Sequence, residues 1–138
     1  MGRCVVVYAD GGSRGNPGPS AIGVEILDDS GKVLHQISKK IGHATNNEAE
    51  YLALITGLEA AVGLGAQEVA VRMDSELLVR QVNGLYRVRS PGLQPLHQRV
   101  MTQKARFARF SIEHVRRDGN RRADALVNRA LDESRIDQ

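Results

Sequence analysis

Four acidic residues stand where strands or helices begin or end: Asp10, Glu50, Asp74 and Asp124. Carboxylates brought within a few ångströms of one another repel unless a cation sits between them, so a fold that gathers these four asks for a metal. The donors are all oxygen, with no paired histidine and no cysteine cluster beside them, a set that suits Mg²⁺ or Mn²⁺ rather than zinc. Two such ions can activate a water and stabilise the leaving oxygen in an in-line phosphodiester displacement. Each acid taken singly has an ordinary role. Asp10 before Gly11-Gly12 reads as a turn former, Glu50 as a solvated helix residue, Asp74 as an N-cap ahead of Ser75, and Asp124 as a favourable charge near a helix N-terminus. The elements around them decide whether they meet.

Arg3 to Asp10 is β-branched and apolar, the pattern of a strand buried on both faces and central in a sheet. By the two-residue period Asp10 shares a face with Val6 and Tyr8. The run Gly11-Gly12-Ser13-Arg14-Gly15-Asn16-Pro17-Gly18-Pro19 is expected to leave the strand as a turn whose glycines allow positive φ and close backbone approach. No helix follows it, so it is not the phosphate cradle of nucleotide-binding folds. Ser20 to Leu27 alternates, Asp28-Asp29-Ser30-Gly31 makes a hairpin turn, and Lys32 to Ile41 returns. A meander of three antiparallel strands follows from this.

Thr45-Asn46-Asn47 supplies caps for a helix reaching about Leu64, with Gly63 and Gly65 as its stop. Tyr51, Leu54, Ile55, Leu58, Ala61 and Val62 form one stripe at the helical period. Glu50 borders that stripe, whereas Glu48, rotated by about 200°, cannot serve the same site. Glu68 to Met73 is a fourth strand, parallel to the first through a right-handed crossover. Asp74 therefore ends beside Asp10, and Glu50 approaches from the intervening helix. A helix from Ser75 to about Asn83, another that Pro91 begins or precedes and that ends near Phe107, a strand from Ala108 to Val115, a basic loop from Arg116 to Arg122 and a closing amphipathic helix complete the chain. The class is α/β, a five-stranded mixed sheet flanked by helices. No linker or repeat interrupts residues 1–138, read as one domain with an ordered core over 1–133 and a frayed tail over 134–138.

The composition agrees with a soluble domain: 41% hydrophobic and 25% charged residues over 138 positions, enough to build one core without staples. Cys4 is the only cysteine and reads as a small buried apolar residue in a reducing compartment. No window suggests a signal peptide or membrane span, so a cytoplasmic monomer is expected. The net charge is +3, and setting aside the four negative charges of the acids above leaves +7 on the remaining surface. Such a surface suits a polyanion.

Four segments in this order and spacing, DGGSRGNPGP, TNNEAEYLAL, MDSELLV and VRRDGNRRADALVNRAL, resemble type 1 ribonuclease H of the archaeal and actinobacterial kind, the group without a basic protrusion. The resemblance spans nearly the whole chain. It implies the ribonuclease H-like fold, and endonucleolytic hydrolysis of the RNA strand of RNA/DNA hybrids leaving 3′-hydroxyl and 5′-phosphate ends. Asp10, Glu50, Asp74 and Asp124 match the family's catalytic and metal-binding carboxylates, with two Mg²⁺ or Mn²⁺ ions per site when substrate is bound and Asp10 as their bridge. For the substrate, the resemblance implies that Gly11, Gly12, Ser13, Asn16, Asn46, Ser75 and Glu76 line the minor groove, where 2′-hydroxyls distinguish RNA from DNA. It places Thr45 in a pocket for a DNA-strand phosphate, while helix capping is the competing role for Thr45 and Asn46.

Two departures qualify the match. Many members carry a mobile histidine in the loop before the last helix; here that loop reads Arg116-Arg117-Asp118-Gly119-Asn120, with Arg117 or Arg116 as the phosphate contact and His114 as a structural strand residue. Larger bacterial members insert a basic, tryptophan-bearing handle, whereas this chain has no Trp and only a short loop with Tyr86, Arg87 and Arg89. Weaker, more salt-sensitive hybrid binding follows, and double-stranded RNA becomes a second substrate. A non-catalytic hybrid-binding module would have lost a carboxylate, and none is lost. Actinobacterial relatives can carry a phosphatase-like domain after this one; the end soon after the last helix reads as a free-standing enzyme.

Overall fold

The computed structural model describes residues 3–136, with side-chain surroundings through residue 133. Strands β1 (Arg3–Ser13), β2 (Gly18–Asp28), β3 (Val33–Ala44), β4 (Ala66–Met73) and β5 (Arg109–His114) form one sheet in the order β3-β2-β1-β4-β5. β1, β2 and β3 pair antiparallel, whereas β4 runs parallel to β1 and to β5. The helices are α1 (Asn46–Gly63), α2 (Glu76–Val82), α3 (Gln94–Lys104) and α4 (Arg121–Ile136). The expected mixed sheet is present, and β1 is central in it.

Alternation along β1 assigns its two faces. Val5, Val7 and Ala9 join Val24 and Ile26 of β2 and Tyr51, Leu54, Ile55 and Leu58 of α1 in the main core. Full burial of each large apolar side chain there contributes about 1.5–3 kcal/mol. On the opposite face Ala21 packs with Val127, Ala130 and Leu131 of α4 in a smaller cluster. That single helix covers only part of the face, so Cys4, Val6 and Tyr8 are half-buried rather than enclosed on both sides as the apolar run suggested.

β1 also extends beyond its expected end. Gly11, Gly12 and Ser13 pair with Ile22, Ala21 and Ser20 of β2, and only Gly15 in this stretch has a positive φ, of 94°. Glycine still supplies both ladder groups, so the pairing continues, and Asp10 lies within the strand rather than at its end.

Thr45 is the N-cap of α1. Its hydroxyl accepts from the Glu48 N–H, and the Glu48 carboxylate accepts from the Thr45 N–H, a reciprocal capping box. Glu48 is thereby turned away from Glu50, as the helical period required, while Asn46 is a helical residue and not a cap. Ser75 caps α2 by accepting from the Leu78 N–H. Pro91 precedes α3, which begins at Gln94 with Pro95 in its first turn, consistent with proline's tolerance there, and which ends at Lys104, short of Phe107. The basic segment is no open loop: Arg117–Asn120 forms a 3-10 turn leading directly into α4 at Arg121. α4 continues to Ile136, so the expected tail at 134–138 overlaps the helix, and its residues 137–138 lie outside the described residues. Among the described residues no helix is long and apolar enough to cross a membrane.

Candidate active site

Asp10, Glu50, Asp74 and Asp124 line one cleft of about 420 Å³, together with Gly11, Gly12, Ser13, Arg14, Asn46, Arg117, Val127, Asn128 and Leu131. The convergence is built by four elements. β1 aims Asp10 at the α4 face, since Asp10 pairs with Gly23 and Gly12 with Ala21, both of which meet α4. β4 stops at Met73, its parallel ladder with β1 closing at Arg72 opposite Tyr8, so Asp74 leaves the strand beside Asp10. α1 and α4 then bring Glu50 and Asp124.

Two glycines set how close those helices come. A Cβ on Gly11 would lie 2.2 Å from the Ala49 carbonyl carbon and oxygen and 2.5 Å from the Glu50 nitrogen, far inside van der Waals contact. A Cβ on Gly23, which sits across the ladder from Asp10, would lie 2.2 Å from the Ala123 carbonyl oxygen. The backbone on either side of Asp10 therefore seats the helix residues that immediately precede Glu50 and Asp124. Gly11, in the run expected to admit another molecule, admits the chain's own helix α1 instead.

The electrostatics follow from this crowding. Asp10 is 8% exposed, and burial first, then the Asp74, Asp124 and Glu50 carboxylates, push its pKa up from 3.8 to about 8; its side chain also hydrogen-bonds Asp124. Burial pushes Glu50 up to about 7, opposed by a hydrogen bond from the Ser75 hydroxyl and reinforced by Asp74. Among the described residues no three His, Cys, Asp or Glu side chains stand in the spacing of a closed metal site. The oxygen-only donors and the raised pKa values fit a hard divalent cation, whose charge would reverse the repulsion.

The expected substrate residues divide. Gly11, Gly12, Ser13, Asn46 and Arg117 line the cleft with the carboxylates. Asn16 and Thr45 line a neighbouring hollow of about 370 Å³ with Asn47, Glu48 and Ser90. The two asparagines are tied: Asn16 Oδ1 accepts from the Asn46 N–H at 3.0 Å, and Asn46 Oδ1 accepts from the Ser13 N–H at 2.9 Å. Each is thus fixed through its oxygen, which leaves its amide nitrogen as the donor. Ser75 and Glu76 do not line the cleft. Ser75 acts through Glu50, and Glu76 turns along α2 to pair with Arg80 at 2.8 Å. His114 is exposed on β5.

Local patterns did not single out Asn128 and Arg14 on the cleft wall, or Asn120 just ahead of α4. Asn128 follows Asp124 by four residues and its amide approaches Asp124 Oδ2 at 3.4 Å, a spacing that helical periodicity could have supplied. Arg14 is held by Asp132 at 2.6 Å, a partner no local pattern discloses. Asn120, read as a turn residue, is 1% exposed.

A family model described as Reverse transcriptase-like matches residues 8–130. A protein of Mycobacterium tuberculosis named as bifunctional is 47% identical over 129 residues, covering 93% of this chain and 35% of that protein. The chain thus spans about a third of the length of the mycobacterial relatives it matches. Ribonuclease HI of Halobacterium salinarum is 43% identical over 133 residues, covering 96% of this chain and 67% of that protein. The crystal structure of RNase H1 from that archaeon superposes with a TM-score of 0.92, covering 94% of this chain and 98% of that one. LC11-RNase H1 in complex with an RNA/DNA hybrid superposes with a TM-score of 0.90 at 45% identity, covering 94% and 98%. With the fold and nearly the whole of this chain shared with the halobacterial ribonuclease, the chain belongs to the ribonuclease H family.

Proposed function

We propose that this chain is a metal-dependent endonuclease that hydrolyses the RNA strand of RNA/DNA hybrids, leaving 3′-hydroxyl and 5′-phosphate ends. One observation carries the reading: Asp10 is buried among the Glu50, Asp74 and Asp124 carboxylates, in a cleft with its pKa raised to about 8. The hybrid held by a homologue of 45% identity supports the substrate class. Asp10 is the carboxylate raised by all three others, so it would hold both ions, with Glu50, which Asp74 also raises, Asp74 itself and Asp124, hydrogen-bonded to Asp10, as the further ligands. Two Mg²⁺ or Mn²⁺ ions would supply the activation of water and the stabilisation of the leaving 3′ oxygen.

The remaining groups bind and orient. The Asn16 and Asn46 amides, fixed through their oxygens, donate toward 2′-hydroxyls and sugar edges in the minor groove. Gly11, Gly12 and Ser13 floor the cleft. Arg117 meets a phosphate from the side where many relatives carry histidine. Thr45 and Asn16 line the hollow read as the seat of a DNA-strand phosphate. Ser75 orients Glu50, and Glu76 contacts the groove only by leaving Arg80.

The test is a single gel with labelled RNA/DNA hybrid, RNA duplex and DNA duplex, with and without Mg²⁺. Cleavage of the hybrid's RNA strand only with Mg²⁺, lost in a folded Asp74→Asn variant, is expected. Near wild-type turnover by Asp74→Asn would remove the mechanism, and the RNA-duplex lane decides whether the missing handle has broadened the substrate.

A further inference from the structure

We infer that Asn120 is a positioning residue for the Asp10–Asp124 pair, holding the first turn of α4 against β1 so that both carboxylates meet one cation. The inference rests on the metal reading above. Asn120 closes the 3-10 turn, and α4 begins at the next residue. Its Nδ2 donates to the Ala9 carbonyl oxygen at 3.0 Å, a bond spanning 111 positions. Ala9 immediately precedes Asp10, and Asp124 lies about one helical turn beyond Asn120. One hydrogen bond therefore ties the peptide carrying the first carboxylate to the helix start carrying the last.

The setting makes this bond matter. Asn120 is 1% exposed, and among the described residues nothing donates to its Oδ1, so the donated bond alone orients the side chain. Burying an amide with one end unpaired is unfavourable, and an apolar residue would fill the space without that penalty. The asparagine therefore secures geometry more than stability. Gly23 complements it: α4 backbone rests on Gly23 at Ala123, which limits approach, while Asn120 prevents withdrawal. Seat and tether flank Asp124 on its N-terminal side. Groups that orient metal ligands without touching the ion typically change metal affinity 10–100-fold when removed.

The test measures Mn²⁺ binding to the free protein by isothermal titration, beside kcat and KM on a labelled hybrid, for the wild type and Asn120→Ala well below the melting temperature. The expected result is Mn²⁺ affinity weakened about tenfold or more, with kcat falling and KM for the hybrid within about twofold. A lowered melting temperature with Mn²⁺ affinity within about twofold of wild type would overturn the inference, because that is what a purely structural residue gives. Should Asn120→Ala not fold, Asn120→Leu, which fills the space but carries no donor, is read by the same criteria. A wild type that binds no Mn²⁺ would instead sink the metal reading on which the inference rests, and the two failures are distinct.

Discussion

Replacing Asp10 with asparagine is expected to make the metal-free protein more stable while abolishing cleavage. The fold raises the Asp10 pKa from 3.8 to about 8. The sign follows from which state keeps the proton: a raised folded pKa means full stability below the unfolded value, lost as pH rises through the folded value. At pH 7 the unfolded chain ionises Asp10 and the metal-free fold does not, so the fold loses about 1.4 kcal/mol for each pH unit above 3.8. That amounts to about 4 kcal/mol as a ceiling, since relaxation and water entry soften buried repulsion. Asp10→Asn keeps the shape, can donate to Asp124, and removes the ionisation, for an expected gain on the order of 2–4 kcal/mol. Urea unfolding in excess chelator at pH 7 measures it, and at pH 4 the gap should close to about half a kcal/mol. Added Mg²⁺ should stabilise the wild type more than the variant. If Asp10→Asn is no more stable than wild type at pH 7 in chelator, the carboxylates do not burden Asp10 as described and the case for a cation among them fails.

Other perturbations probe the parts that hold the site. Gly23→Ala forces α4 off β2 at the Ala123 carbonyl; a loss of about 1–3 kcal/mol by thermal melting, or more where α4 cannot shift, is expected, together with weaker metal binding. Ser75→Ala removes both the cap of α2 and the hydroxyl that lowers Glu50, so stability falls by about 1 kcal/mol and the acidic limb of the pH–rate profile moves upward; an unmoved limb would separate Ser75 from Glu50. Thr45→Ala breaks the capping box and should cost about 0.5–2 kcal/mol, and a rise in KM for hybrid beyond that effect would assign the hydroxyl to the phosphate hollow. Asp28 is held below its usual range by the Ser30 hydroxyl and the Lys32 N–H; its contribution is present above the unfolded pKa and lost as pH falls through the folded one, which an NMR titration of the hairpin turn would follow.

Local rules made much of this chain legible before any coordinates. The two-residue period aimed Asp10, the helical period separated Glu50 from Glu48, and Asp74-Ser75 marked where a strand ends and a cap begins. These signals live within a few residues, so the sequence alone determined the element order, the mixed sheet and the four acids. The capping of α1 by Thr45 with Glu48 was also within reach, since a capping box is a local pattern.

What the tertiary structure alone decided is spacing between distant segments. Gly11 and Gly23 look like turn and strand glycines in sequence; their purpose is visible only when Ala49 and Ala123 are found against them. The extension of β1 through Ser13 depended on a partner strand to pair with, and the Asn120–Ala9 bond joins residues with no local signature. The raised pKa of Asp10 is likewise a property of burial and of three carboxylates arriving from other elements. Short-range chemistry chooses each residue's element and face, whereas the separation of charges to within a few ångströms is set by what the backbone can approach, and that is a property of the packed chain.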